Sequence, residues 1–173
     1  MMSRELIQCR GITLLELMVA LAVLAILVTI AAPGLTQLIH NNRIVAQNNE
    51  LVSLINLAKS QAVRRNAPYE VIFDLGDPWE IDVRRADFVL DPDEEAVSDG
   101  CLTGAIRCVR NERSSLTGST NLLVFDQRGY LTPINDGTRI FTIVHAPCQG
   151  NRQARVLSIT ATGQVTSTPI ACP

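Results

Sequence analysis

Two consecutive stretches of the chain carry helical patterns. Residues 12–32 form an apolar run of 21 residues that contains one charged side chain, Glu16. About 20 apolar residues in a helix cross the roughly 30 Å hydrocarbon core of a bilayer, so this run predicts a transmembrane helix over residues 12–33. Pro33 and Gly34 then predict a kink, because proline removes a backbone donor and clashes with the preceding turn.

The helical pattern resumes at once as an amphipathic helix over residues 34–66. Leu51, Ile55, Ala58 and Ala62 recur at intervals of three or four positions and mark one buried face. The Asn-Ala-Pro sequence at residues 66–68 predicts the end of this helix, since a residue before proline is pushed out of the helical region.

Beyond Pro68 the apolar positions alternate or form short runs rich in β-branched and aromatic residues. Such segments occur at residues 69–73, 79–83, 122–125, 140–144, 155–159 and 164–166, with turn residues between them. A long helix followed only by short strands predicts an α+β fold with a β-rich head over residues 67–173. Residues 91–119 show the least pattern, and we expect a disulfide-pinned loop there.

The charged residue in the apolar run has a specific sequence context. A carboxylate inside a membrane is costly and suggests a function. Residues 11–16, Gly-Ile-Thr-Leu-Leu-Glu, resemble the processing site of type IV pilins and pseudopilins. The resemblance implies that prepilin peptidase cuts after Gly11 and removes the leader, residues 1–11. It also implies that Ile12, in place of the usual Phe, becomes N-methylated, and that Pro33 is the helix-kinking proline common in these proteins.

In such a subunit Glu16 is the fifth mature residue and guides assembly. The α-amino group of a neighbouring subunit's Ile12 is a suitable partner, and this ion pair would set the register between subunits. The alternative is a protonated, neutral Glu16 that is merely tolerated.

Two other interpretations of the N-terminus compete with this one. A secretory signal peptide would have a positive start, which Arg4 and Arg10 supply, but its apolar run is shorter and does not contain a glutamate. A plain single-pass anchor explains the length of the run and the arginines, but not Gly11 or Glu16.

The resemblance extends beyond the N-terminus. Residues 36–43 and 57–66, with shorter matches at residues 125–129 and 155–159, are similar to the GspH/FimT/FimU minor pilins and pseudopilins. This implies a type IV pilin-like head of two small antiparallel sheets around the end of the helix. It also implies a single-pass protein of the bacterial inner membrane with a periplasmic head, located at a filament tip after assembly. The implied partners are other pilins, prepilin peptidase, the inner-membrane assembly platform and membrane lipid.

Two roles remain open within this family, and a third belongs to another class of function. The subunit primes or caps a type IV pilus, or it is a pseudopilin of type II protein secretion. Some FimT-like proteins instead bind DNA through a Gly-Arg-x-Arg motif, whose place here is taken by Gly163-Gln164-Val165-Thr166. Both arginines are missing, so DNA binding is not favoured, because phosphate contacts need cations. Weak DNA contacts could come only from Arg128, Arg152 and Arg155.

Four of the five cysteines lie in the head and predict two disulfides in an oxidising compartment. Four cysteines allow three connectivities, and sequence cannot choose among them. We favour Cys101 with Cys108, which closes a small loop, and Cys148 with Cys172, which staples the C-terminal tail. A zinc site is the alternative, but neither a Cys-x-x-Cys spacing nor a neighbouring His supports it.

The overall charge and the residue composition agree with a structural subunit and add no sign of nucleic-acid binding or catalysis. The net charge is −2 and the pI about 5.7, so no overall positive charge attracts nucleic acid. His40 and His145 are the two histidines, and no catalytic or phosphate-binding motif occurs. We therefore predict no enzyme activity, no catalytic residue, no metal and no cofactor.

Overall fold

A computed structural model describes residues 13–89, 97–98, 101–132, 137–145, 148 and 151–173. The chain divides into two compact units, residues 1–39 and 40–173. A single helix, α1 (Leu14–Arg65), contributes to both. It continues without interruption through residues 33 and 34, so the helical pattern on both sides of Pro33 is confirmed, whereas a bend at Pro33 stays a prediction.

α1 ends where the sequence predicted. Asn66 has a φ of 49°, in the left-handed region that often terminates helices. The backbone N–H of Ala67 then donates to the carbonyl of Ala62 at 3.3 Å, which satisfies an end carbonyl in the manner of a Schellman motif. Pro68 follows and cannot continue the helix.

The other regular elements of the described chain are antiparallel strands, joined by turns and loops. They are β1 (Tyr69–Asp74), β2 (Trp79–Arg85), β3 (Val97–Ser98), β4 (Cys101–Leu102), β5 (Arg107–Asn111), β6 (Ser114–Gly118), β7 (Leu122–Phe125), β8 (Leu131–Thr132), β9 (Arg139–His145), β10 (Asn151–Ile159) and β11 (Val165–Ala171). The first sheet has the order β5-β2-β1-β7-β8 and the second sheet β11-β10-β9-β6, while β3 and β4 form a small ribbon. The expected α+β fold, with two small antiparallel sheets, is confirmed.

The expectation of a loop over residues 91–119 was wrong, because the short β3–β4 ribbon lies in its first half and two longer strands lie in its second half. The longer strands, β5 and β6, are paired with β2 and β9 respectively. β5 is an edge strand that carries Arg107 and Arg110, and charges of this kind discourage edge-to-edge pairing. The same charges lower its apolar content and conceal the strand in the sequence.

The core lies where the amphipathic face of α1 meets the inner faces of both sheets. Leu51, Ile55, Ala58 and Ala62 are at most 1% exposed, so the predicted stripe is confirmed. They belong to one cluster with large side chains of both sheets, among them Trp79, Phe125, Phe141, Leu157 and Ile159.

The two sheets are also joined to each other at one edge. Gly76 and Leu116 exchange backbone hydrogen bonds of 3.1 and 3.0 Å, and the indole Nε1 of Trp79 donates to Ser114 Oγ at 2.8 Å. Both contacts link the first sheet to β6 of the second, so residues 40–173 fold around one shared core.

Two disulfides staple the head. The structure joins Cys101 to Cys108 and Cys148 to Cys172, with Cα–Cα distances of 5.8 and 5.7 Å. This is the connectivity that we favoured among the three possible ones.

A close approach occurs at the turn between β10 and β11. Gly163 has a φ of 69°, and a Cβ there would lie 2.8 Å from the carbonyl oxygen of Gly129 and 2.9 Å from Phe125. Above this turn, Lys59 of α1 donates from Nζ to the carbonyls of Thr162 and Gly163 at 2.9 and 3.2 Å. The helix thus holds the turn at a position where only glycine fits.

The close contact at Gly163 leads to a prediction that has a matched control. Gly137 has a similar φ of 65°, but no atom of the described residues lies within 4 Å of an added Cβ there. Both alanine variants therefore carry left-handed backbone strain, and only Gly163→Ala clashes with the described part of the chain. We expect Gly163→Ala to lower the free energy of unfolding by about 1–3 kcal/mol more than Gly137→Ala does, as for other overpacked sites. Urea unfolding followed by circular dichroism measures the difference, and equal losses would contradict the role given to the close approach.

Candidate functional site

The N-terminal junction presents a helix cap beside the acidic residue. α1 begins at Leu14, and Thr13 precedes it. The hydroxyl of Thr13 accepts a hydrogen bond from the backbone N–H of Glu16 at 3.2 Å, and the Thr13 carbonyl accepts one from Leu17 at 3.1 Å. Thr13 therefore caps the helix, and Glu16 occupies its first turn, where a negative charge complements the helix dipole.

This cap gives Glu16 a local role that our sequence interpretation missed. A Thr followed three positions later by Glu matches the capping-box pattern, which could have been read from residues 13–16. Gly11 and Ile12 lie outside the described residues, so cleavage and N-methylation stay predictions.

The first unit exposes a long row of apolar side chains. Leu14, Leu15, Met18, Leu24, Leu27 and Ile30 are each at least 55% exposed. None of the described residues of the first unit therefore buries these side chains. In the part of the chain that the structure describes, no helix meets the length and hydropathy required of a membrane-crossing segment.

The arginines considered for DNA contacts occupy different environments. Arg128 is exposed but ion-paired, with Nε 3.2 Å from Asp126 Oδ2, and its guanidinium lies 5.8 Å from the centre of the Tyr130 ring. Arg155 is half-buried, and its Nε has neither solvent contact nor a hydrogen-bond partner. The side chain of Arg152 lies outside the described residues.

Asp126 organises the turn that carries Arg128. Its Oδ1 accepts hydrogen bonds from the backbone N–H groups of Arg128 and Tyr130 at 2.9 and 2.8 Å. Burial opposes ionisation of Asp126, but these two hydrogen bonds and Arg128 outweigh it and hold the pKa below its usual value. Arg128 thus stabilises an ionised aspartate as well as facing solvent.

We expect the full-length protein to bind duplex DNA weakly or not at all. Gln164 and Thr166 are exposed next to the β10–β11 turn but bring no charge, so a gel-shift titration at about 150 mM salt is expected to give a dissociation constant weaker than about 1 µM. The double variant Gln164→Arg, Thr166→Arg is expected to bind more tightly and to show a steeper salt dependence, since each neutralised phosphate releases counterions. Tight binding by the wild type would overturn this expectation.

Carboxylates gather on the outer face of the first sheet. Burial raises the pKa of Glu80, and the nearby Asp82 raises it further, while Arg110 opposes the shift. Burial likewise raises the pKa of Asp82, although its Oδ1 accepts a hydrogen bond from the backbone N–H of Leu102 at 3.0 Å. That hydrogen bond ties the Cys101–Cys108 loop to the sheet.

At the same part of the first sheet, three residues of types that can bind a metal ion lie close together. Asp82, Cys101 and Cys108 bring their ligand atoms within 4.8 Å of one another. The two sulfurs are bonded to each other, however, and a metal requires thiolates. One carboxylate therefore remains, and these residues do not fit a metal ion.

A polar seam runs between α1 and the second sheet, and sequence reasoning missed it. It consists of two contacts, His40 with His145 and Asn48 with Ser167, together with the buried polar groups of Asn41, Gln47 and Arg155. His40 Nδ1 lies 2.9 Å from His145 Nε2, and Ser167 Oγ donates to Asn48 Oδ1 at 2.6 Å. The inner face of the first sheet offers α1 apolar side chains such as Val71, Trp79 and Phe125 instead.

Comparison with known proteins places this geometry in a family. The model of the family described as type II transport protein GspH matches residues 47–163, which is more than half of the chain of 173 residues. The chain belongs to the GspH family. A second family model, the prokaryotic N-terminal methylation motif, matches residues 7–32. The resemblance to the GspH/FimT/FimU minor pilins and pseudopilins is thereby confirmed, and this family consists of structural subunits.

Solved structures support the fold. Two crystal structures of the type IV minor pilin FimU from Pseudomonas aeruginosa strain PAO1 are similar to this GspH-family chain, each at 21% sequence identity. The first structure has a TM-score of 0.54, and the match covers 74% of this chain and 90% of the FimU chain. The second has a TM-score of 0.50, and the match covers 70% of this chain and 89% of the FimU chain. A search of proteins with curated function found no match.

Proposed function

We propose that the chain is a minor pilin or pseudopilin that primes or caps a filament of the type IV pilus kind. The observation that carries the proposal is the combination of the methylation-motif match over residues 7–32 with a head of the GspH family. The resemblance of this head to FimU, described as a type IV minor pilin, favours the pilus as the assembly.

The N-terminal part of α1 is the proposed membrane anchor and filament stem, with the head in the periplasm. Support comes from the apolar sequence of residues 12–32 and from the exposure of its described side chains, although the search for a spanning helix found none among the described residues. Exposed side chains of this kind need lipid or the helices of neighbouring subunits to cover them. The proposed partners are therefore other pilins, the inner-membrane assembly platform and lipid, with prepilin peptidase as the processing enzyme.

The test of this proposal is the mature N-terminus. Intact-mass analysis of the membrane-extracted protein is expected to show a chain that begins at N-methylated Ile12. Gly11→Val should block cleavage, whereas Gly34→Ala should not, because an added Cβ at residue 34 meets nothing within 4 Å. A mature N-terminus near Pro33, or an uncleaved wild-type chain, would contradict the proposal.

A second candidate is a pseudopilin of type II protein secretion. The observation in its favour is the matching family model, whose description is type II transport protein GspH. Deleting the gene and measuring both surface filaments and protein export separates the two roles. Loss of filaments alone supports the pilus, and loss of export alone supports secretion.

A further inference from the structure

The contact between His40 and His145 joins the head portion of α1, residues 40–65, to the second sheet. His145 is the last residue of β9 and is 2% exposed, while His40 is the first residue of the second unit. Their ring nitrogens lie 2.9 Å apart, a hydrogen-bond distance, and the ring centroids are 5.0 Å apart. One of the two nitrogens must carry the shared proton and the other must accept it.

This hydrogen bond cannot survive full protonation. When both imidazoles are charged, His40 Nδ1 and His145 Nε2 are both donors, and they face each other without an acceptor. Two like charges are then also held in a partly buried place, where their repulsion is weakly screened. The contact therefore exists in the neutral and singly protonated pair and is lost in the doubly protonated pair.

The surroundings of His145 add to this sensitivity. Burial lowers the pKa of His145 below its usual 6.5, and the positive charges of His40, Arg43 and Arg113 lower it further, while the backbone of Arg113 opposes the shift. Arg43 lies on α1 and Arg113 in the turn between β5 and β6, so among the described residues the charged groups that act on His145 are all basic. Because the folded protein favours neutral His145, the stability from this group is complete above pH 6.5 and is lost as the pH falls below it.

The neighbouring polar seam has little to replace the lost contact. Asn41 Oδ1, Gln47 Oε1 and Arg155 Nε are buried without hydrogen-bond partners in the part of the chain that the structure describes. Arg155 is paired in register with Ile143 and therefore lies on the inner face of the second sheet, toward α1. Buried polar atoms that lack partners cost free energy, so this interface depends on its few completed hydrogen bonds.

We propose that the His40–His145 pair is a proton-operated latch, which fastens the head portion of α1 to the second sheet and releases it when both imidazoles are protonated. The release is local. Among the described residues, the core contacts of α1 with the first sheet include no group that titrates between about pH 5 and 7.5, since the tyrosine in this core belongs to a residue type that titrates only at about pH 10. These contacts persist, and β9 and β10 open from the helix instead. In the filament subunit, acidification therefore loosens one side of the head while the other remains folded.

Hydrogen exchange on the full-length protein in detergent tests the latch. After correction for the intrinsic effect of pH, we expect β9 and β10 of the wild type to exchange about tenfold faster at about pH 5 than at pH 7.5, relative to β1 and β2. A tenfold change in exchange corresponds to a change of about 1.4 kcal/mol in the free energy of local opening. Equal pH effects in the two sheets would overturn the proposal.

Two variants separate titration from simple weakening. His40→Gln keeps a side-chain donor for His145 but does not titrate, so most of the excess exchange at acidic pH should disappear. Ser167→Ala removes the other contact of the seam, to Asn48, without removing a titrating group, and should raise exchange of the second sheet equally at both pH values. A His40→Gln variant with the full acid effect would contradict the latch.

Nuclear magnetic resonance titration of the imidazoles provides an independent readout. We expect the second proton to enter the pair below the usual histidine pKa and to coincide with the loss of protection in β9. Entry of both protons while β9 stays fully protected would overturn the proposal.

Discussion

The Glu16→Ala variant is expected to be cleaved and inserted normally but to be absent from filaments. Glu16 is the carboxylate of the apolar run at residues 12–32, and a charge among packed apolar helices needs a partner. The proposed partner, the α-amino group of Ile12 in a neighbouring subunit, exists only in the assembly. Immunoblots of membranes and of sheared filaments measure how much of the variant is inserted and how much is assembled. If the variant enters filaments at the wild-type level, Glu16 has no role in the register between subunits.

The hydrogen bond between Thr13 and Glu16 supplies the control for this prediction. Glu16 N donates to Thr13 Oγ1, so Thr13→Ala removes the cap of the helix and retains the carboxylate. Loss of a cap typically costs about 1 kcal/mol. We expect Thr13→Ala and Glu16→Asp to enter filaments and Glu16→Gln to fail, because only the last of these three removes the charge. Equal defects in Thr13→Ala and Glu16→Ala would assign the effect to helix capping.

Trp79→Ala is expected to be the most destabilising single substitution among those discussed for the head. Trp79 is 1% exposed, belongs to the shared core and donates its indole proton to Ser114 across the two sheets. Truncation leaves a large cavity and costs about 3–5 kcal/mol. Urea unfolding followed by far-ultraviolet circular dichroism measures the loss.

Two further variants divide this loss between volume and hydrogen bonding. Trp79→Phe keeps much of the apolar volume and removes the indole donor, and Ser114 Oγ retains its hydrogen bond to Asn111. We expect an intermediate cost for this variant. Leu122→Ala in the same sheet is the surface control, since Leu122 is 42% exposed. A Trp79→Ala variant no less stable than Leu122→Ala would contradict the role assigned to the shared core.

Local patterns were sufficient to predict α1 and six of the eleven described strands. The face formed by Leu51, Ile55, Ala58 and Ala62 is buried as its spacing required, and the helix ends at Arg65, shortly before Pro68. These features depend on periodicity and on backbone sterics, which a few neighbouring residues determine. The sequence did not predict β5 and β6, because both are edge strands and an edge strand needs no continuous apolar face. The pairing of β5 with β2 is moreover a long-range contact, which a local pattern does not record.

The methylation motif and the family were readable from the chain alone, because the spacing of Gly11 and Glu16 lies within six residues of sequence and does not depend on folding. The pairing of four cysteines, the close approach at Gly163 and the meeting of His40 with His145, 105 residues apart in sequence, depend instead on how the strands lie against α1. No local pattern records such distances, because each is set by the register of several strands at once. The tertiary structure alone therefore determined the contacts on which the proposed latch depends.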